Sequence, residues 1–262
     1  MSGAAGGPGH GPELVSARAR RVLAPNPGPM TLDGTNSYLL AASGSRSVVV
    51  VDPGPLDDAH LAALAAASVE LVLLTHRHQD HAESRTVFAA LTGAPVRAFD
   101  SALCLDGPPL ADGEVIEAAG TRIRVVHTPG HTSDSVSFYL ADDGPTGSML
   151  TGDTILGRGT TILDFPDGTL GDYLNSLEIL RAFGSATVLP AHGPVLPDLA
   201  AASDAYLRHR QQRLEQIRDA LAQLGPDASV SSVTDLVYTD APAGVRFAAE
   251  ASVRAQLAFL RG

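Results

Sequence analysis

The chain predicts an α/β fold in which two mixed sheets carry helices on their outer faces, followed by a small helical appendage. Three observations support this. Strand-like and helix-like segments alternate over residues 1–200, metal-binding side chains recur where apolar runs end, and the pattern turns purely helical past Pro197.

Taken in order, residues 1–12 are rich in Gly, Ala and Pro and lack the charged-then-apolar pattern of a signal peptide, so they read as a disordered tail. Residues 37–40 and 47–52 are expected strands, with Asn36 and Gly44 near turns. Residues 56–67 are Ala- and Leu-rich and helical, and Asp57 and Asp58 favour the positive N-terminal end of that helix. Residues 69–75 form an apolar run of strand length. Residues 82–91 read as helix and 95–99 as a short strand, followed by strands at 114–118, 121–127, 135–140 and 148–150. Residues 172–183 form an amphipathic helix with Tyr173, Leu174, Leu177 and Leu180 on one face and Asp172 as its N-cap.

After Pro197, residues 203–224 form a long helix with Leu207, Leu214, Ile217, Leu221 and Leu224 on one face, and Gly225-Pro226 ends it. Helices at 233–238 and 245–260 follow. The expected organisation is a tail (1–12), a catalytic domain (13–202) and an accessory helical domain (203–262).

The most informative segment is His76-Arg77-His78-Gln79-Asp80-His81, at the end of the apolar run. His76 and His78 point the same way if the backbone stays extended, and Asp80 and His81 reach the same hollow after a bend. His131 in Thr128-Pro129-Gly130-His131-Thr132, Asp153 in Leu150-Thr151-Gly152-Asp153 and His192 in Pro190-Ala191-His192-Gly193 each follow another such run. Two neighbouring cations need two ligand sets and a shared anion between them. His76, His78 and His131 are assigned to the first, Asp80, His81 and His192 to the second, and Asp153 to the bridge. Imidazole and carboxylate without thiolate suit two zinc ions, and iron or manganese as well. Cys104, the single cysteine, lies apart from these motifs and reads as a buried small hydrophobe.

These seven residues, in this order and spacing, resemble the ligand set of dinuclear members of the metallo-beta-lactamase superfamily, over residues 20–200. The resemblance implies a four-layer αββα sandwich with the ligands at one end of the two sheets. It also implies that Asp52, in Val50-Val51-Asp52-Pro53-Gly54, lies beside the metal loop and orients a ligand. An Asp at the bridging position is similar to the glyoxalase II, ribonuclease and dioxygenase branches and speaks against antibiotic hydrolysis as the main activity. Gly157-Arg158-Gly159-Thr160-Thr161, Asp172-Tyr173-Leu174-Asn175-Ser176-Leu177 and the tail segment Asp235-Leu236-Val237-Tyr238 resemble the beta-lactamase-like-protein-2 branch, whose tail is winged-helix-like. The chain ends soon after its third tail helix, so any wing is expected to be short or absent.

The implied chemistry is hydrolysis by a metal-bridging hydroxide, since metal binding brings the pKa of water to roughly 7. Asp80 would orient that nucleophile or handle its proton. Substrates consistent with this are a small ester or thioester, as for glyoxalase II, or single-stranded RNA, and the alternative is a mononuclear-iron persulfide dioxygenase. Arg158, Thr160 and Thr161, in a Gly-rich loop after Asp153, are candidate substrate contacts. Arg208, Arg210, Arg213 and Arg218 read as a solvated helix face with Glu215 and Asp219 as partners, phosphate contact being the other reading. His209 is expected to pack between the domains.

Composition bounds the rest. The net charge of −11 falls entirely in residues 1–202, while 203–262 are neutral. The acidic total weakens the case for a nucleic-acid partner. With no Trp, five Tyr and seven Phe, no base-stacking platform is evident. No apolar run is long enough to span a membrane, and a lone cysteine fits a reducing cytoplasm. The oligomeric state is left open, a dimer included.

Overall fold

A computed structural model of the chain describes residues 11–239, 244 and 246–262. Residues 1–10 of the expected tail (1–12) and the expected helix start at Val245 lie outside the described residues.

Two sheets form the centre. The first has six strands in chain order: β1 (Glu13–Leu14), β2 (Ala19–Leu23), β3 (Asn36–Leu40), β4 (Ser47–Val51), β5 (Ser68–Leu73) and β6 (Val96–Arg97). The second has five, ordered β11-β10-β9-β8-β7: β7 (Val115–Ala118), β8 (Thr121–His127), β9 (Val136–Leu140), β10 (Ser148–Gly152) and β11 (Thr187–Pro190). β4, β5 and β6 pair in parallel, as do β10 and β11, and the other pairs are antiparallel.

The apolar runs lack a polar face because both faces of these strands are covered. Side chains alternate across a strand, so Tyr38, Leu40, Val49, Val51, Leu71 and Leu73 point between the sheets, where they meet Ile123, Val125, Phe138, Leu150 and Leu189. Leu39, Val50, Val72 and Leu74 point outward onto Leu61, Leu64 and Phe88. Those last three come from α1 (Asp58–Leu64) and α3 (Arg85–Thr92). Met149 and Val188 point outward on the other side, onto α4 (Leu170–Arg181) and the first half of α5 (Leu199–Leu224). The result is the expected four-layer αββα sandwich. The second half of α5 packs with α6 (Val230–Val237) and α7 (Arg246–Arg261) around Ile217, Val233, Val253 and Leu257. No wing strand accompanies these helices among the described residues.

Several local expectations need correction. The helix expected at 82–91 is two pieces, α2 (Gln79–Ala82) and α3. The break falls at Ser84, whose backbone N and Oγ both donate to the Gly54 carbonyl, at 3.2 and 2.8 Å. That contact ties the metal motif to the loop after β4. α4 starts at Leu170 and is capped by Thr169, whose hydroxyl accepts from the Asp172 N–H, so Asp172 sits in the first turn instead. α5 starts at Leu199, capped by Asp198, and Tyr206 and Arg210 are buried along it while Leu224 is exposed. Arg210 is therefore no part of a solvated face: its guanidinium stacks 4.9 Å from the Tyr173 ring centroid on α4. Cys104 is half-buried rather than buried.

Candidate metal centre

The parallel pairs bring the C-terminal ends of β4 and β5, and of β10 and β11, to one edge of the sandwich. β5, β10 and β11 hand the chain to loops bearing candidate ligands, β4 to the loop bearing Asp52, and β8 to the loop bearing His131. Two glycines let those loops approach closely. At Gly130 (φ +129°) a Cβ would lie 2.4 Å from the Tyr173 backbone, and at Gly152 (φ +49°) it would lie 2.9 Å from Thr75 Cβ. They immediately precede His131 and Asp153, so the packing that requires glycine also fixes where those side chains start.

All seven side chains converge. His78 Nδ1 lies 3.1 Å from His76 Nε2 and 2.9 Å from His131 Nε2. Three imidazole nitrogens facing one another so closely have the spacing of donors around a cation at roughly 2.0–2.1 Å. In the second group, Asp80 Oδ2 lies 3.4 Å from His81 Nε2 and 3.1 Å from His192 Nε2. Asp153 stands between the groups: Oδ2 is 3.6 Å from His131 Nε2, while Oδ1 is 3.7 Å from His81 Nε2 and 3.3 Å from His192 Nε2.

Behind this cage, every imidazole is held by its other nitrogen. His81 Nδ1 faces Asp52 Oδ2 at 2.9 Å, His192 Nδ1 the Gly34 carbonyl at 3.1 Å, and His131 Nδ1 the Ile162 carbonyl at 2.6 Å. His76 Nδ1 faces the Thr75 hydroxyl at 3.1 Å, which itself donates to Asp52 Oδ2, and His78 Nε2 faces Asp164 Oδ2 at 3.4 Å. A ring nitrogen donating to an outward acceptor leaves its partner nitrogen as a lone pair aimed inward, as a metal ligand requires. Asp52 is buried with φ +52° and accepts from the Thr75 N–H, the Thr75 hydroxyl and His81. It thus positions both halves of the cage at once. Asp tolerates this left-handed backbone better than most side chains.

The donor set fits divalent cations on a further observation. His81 Nε2, His192 Nε2 and Asp153 Oδ1 are buried without a hydrogen-bond partner among the described residues. Burying such atoms unsatisfied is costly, and all three point into the same cage. Burial drives the imidazole of His76 well below its ordinary range, with His81 and His131 adding to the effect, and it takes His131 down to about 4. Burial also opposes charge on His192, yet Asp153 and Asp80 lift it to about 9; His81 rises likewise beside Asp80 and Asp52. Burial would raise Asp80 and Asp153, but the surrounding imidazoles outweigh it and hold both well below the usual carboxylate range. His81 and His192, the two imidazoles whose affinity for protons is raised, would have to give up their inward protons to hold a divalent cation.

The sequence profile of the metallo-beta-lactamase superfamily matches residues 30–192. The chain belongs to that superfamily. A beta-lactamase-like protein 2 homolog from Drosophila melanogaster is 33% identical over 262 residues, covering 92% of this chain and 86% of its own. An atrochrysone carboxyl ACP thioesterase from Aspergillus aculeatus is 32% identical over 251 residues, covering 89% and 75%. Among solved structures, a metallo-beta-lactamase family protein from Thermus thermophilus superposes with a TM-score of 0.74 at 26% identity, covering 93% of each chain. In this superfamily member the His/Asp cage contains three groups of side chains that could each hold a metal ion.

The remaining candidates are placed less simply. Arg158 is exposed and engaged by Asp33 through two bonds of 2.6 and 2.8 Å. Thr161 is buried behind His131, its hydroxyl 3.2 Å from Nδ1, and so supports that side chain. Thr160 is exposed on the rim of a groove that runs to α5 and α7. Sequence reasoning missed Thr75, Asp164 and Asn36. Asn36 Nδ2 donates to the Pro190 and Gly193 carbonyls at 2.8 and 2.9 Å and so fixes the His192 loop. Thr75 adjoins His76 and was open to notice, whereas the Asp164 and Asn36 contacts span 86 and more than 150 residues and left no local signal. Among the described residues no helix is long and apolar enough to cross a membrane.

Proposed function

We propose that the chain is a dinuclear-metal-dependent hydrolase of thioesters or esters. The observation that carries this reading is the position of Asp153, with one oxygen toward His131 and the other toward His81 and His192. A single carboxylate shared in this way suits two cations, with His76, His78 and His131 holding one and Asp80, His81 and His192 the other. Two zinc ions match the donor chemistry, and iron or manganese fit the same atoms. Bound there, divalent cations supply a water of lowered pKa and polarise the oxygen of the bond under attack.

The chain's own groups do the rest. Asp52, through Thr75 and His81, keeps the imidazoles in one tautomer. Asp80 is the most open carboxylate of the cage, its side chain 28% exposed against 11% for Asp153. It is placed to orient the attacking water, with the Thr35 hydroxyl 3.5 Å from Oδ2 as a donor to it. Burial of the imidazoles excludes bulk water from the back of the site and strengthens these interactions.

The thioester reading is supported by the similarity to the Aspergillus thioesterase. Single-stranded RNA is served less well. Asp164 faces His78 at 3.4 Å, and Asp134, Asp164 and Asp167 share the single cation Arg77, which leaves an excess of negative charge beside that ligand. The test is a panel of S-acyl thiols, aryl esters and single-stranded RNA with metal-analysed protein, and Asp80→Ala as control. Thioester turnover that falls at least about a hundredfold in Asp80→Ala is expected. Turnover of RNA alone contradicts the proposal, as does oxygen-dependent turnover with one iron per chain, the signature of a persulfide dioxygenase.

A further inference from the structure

Arg210 is 3% exposed, and among the described residues it forms no salt bridge. Its Nη2 donates to the Thr161 carbonyl at 2.6 Å and its guanidinium stacks on Tyr173, but neither partner is anionic. Its Nε is buried with no hydrogen-bond partner among the described residues. Burying an uncompensated guanidinium is costly, and an anion that enters its low-dielectric surroundings is held far more strongly than in water.

A groove opens over this residue. Its walls include Met30, Ile162, His209, Arg213 and Tyr238, and no acidic side chain lines it among the described residues. Among the described residues Arg213 also has neutral partners, Gln216 at 2.9 Å and the Tyr238 ring centroid at 4.6 Å. Burial, with Arg210 and Arg213 adding to it, lowers the imidazole of His209 below its ordinary value, as expected in a positive field. The groove lies between the two loops that back the metal cage. Met30 belongs to the loop ending at Gly34, which receives His192, and Ile162 receives His131.

We propose that this groove is the subsite for a phosphate group carried on the thiol half of a thioester substrate. The assignment rests on the thioesterase reading above. Two guanidiniums and an imidazole around one opening match the charge and the planar, paired donors that phosphate recognition favours. The thiol is the half that stays constant while acyl groups vary, so a fixed anion site serves it best.

The experiment compares binding of pantetheine and 4′-phosphopantetheine to the metal-loaded full chain by calorimetry. The two thiols differ only in the phosphate, so their affinity ratio reports that group alone. The ratio is expected to favour the phosphorylated thiol roughly tenfold, the worth of one charge-assisted hydrogen bond. It should fall to near one in Arg213→Met and stay at its full value in Arg218→Met, an exposed site on the same helix. Equal affinities in the wild-type protein, or an unchanged ratio in Arg213→Met, overturn the proposal. Hydrolysis of S-acetyl-pantetheine is followed in parallel. A preserved ratio without turnover removes the thioesterase reading and leaves the phosphate site, and turnover with a ratio of one does the reverse.

Discussion

Asp153→Ala is expected to reduce turnover to background and to leave the protein with less than its full complement of metal. The two oxygens of this carboxylate face both imidazole groups, at 3.6 Å on one side and 3.3 and 3.7 Å on the other. Removing it takes away the anion between two cations about to share a cage, so their mutual repulsion is no longer offset. Altering groups that merely support a ligand costs 10- to 100-fold in metal affinity or activity. Loss of a ligand common to both sites should exceed about a hundredfold. Elemental analysis and steady-state turnover check this together, and a variant with unaltered metal content and rate contradicts the role given to Asp153.

Deleting residues 203–262 is expected to destabilise the whole chain. Read from sequence alone, this part is an accessory domain whose loss impairs substrate selection more than metal binding. The contacts argue otherwise. The Tyr206 hydroxyl bonds to both the N–H and the carbonyl of Leu156, at 2.9 and 3.2 Å, and Arg210 grips Thr161. Leu156 and Thr161 belong to the segment that leads from Asp153 to Ile162, the residue that backs His131. Tyr206 and Leu214 also complete the apolar cluster over Met149, Tyr173, Leu177 and Val188. Truncating a single large buried side chain costs about 2–5 kcal/mol, and a domain of ordinary stability has only about 5–15 kcal/mol in total. The truncated protein should therefore lose about 10 °C or more of thermal midpoint, or fail to fold, and load metal poorly. A truncated chain with an unaltered melting temperature and full metal content would show that the helical part is dispensable after all.

The cage was legible in the sequence because its ligands sit where two-sided apolar strands end, and such ends are marked by Gly, Pro and the polar residues themselves. All seven side chains named from spacing come together, and Asp52 lies behind them. β2 was not legible: its Arg20 and Arg21 interrupt the apolar pattern, and only Ala19 and Val22 of the strand are buried. The break between α2 and α3 depends on a bond from Ser84 to Gly54, thirty residues away. Arg210 looked like its arginine neighbours on α5. What sets it apart is the Tyr173 ring of another helix, a contact that no helical periodicity records.

The most direct test is crystallography of the zinc-loaded protein, with anomalous scattering measured at the zinc edge. Two peaks are predicted within the cage, one bounded by His76, His78 and His131 and the other by Asp80, His81 and His192, with Asp153 reaching both. A single peak, or density at neither position under saturating zinc, would contradict the paired-cation centre on which the proposed hydrolysis depends.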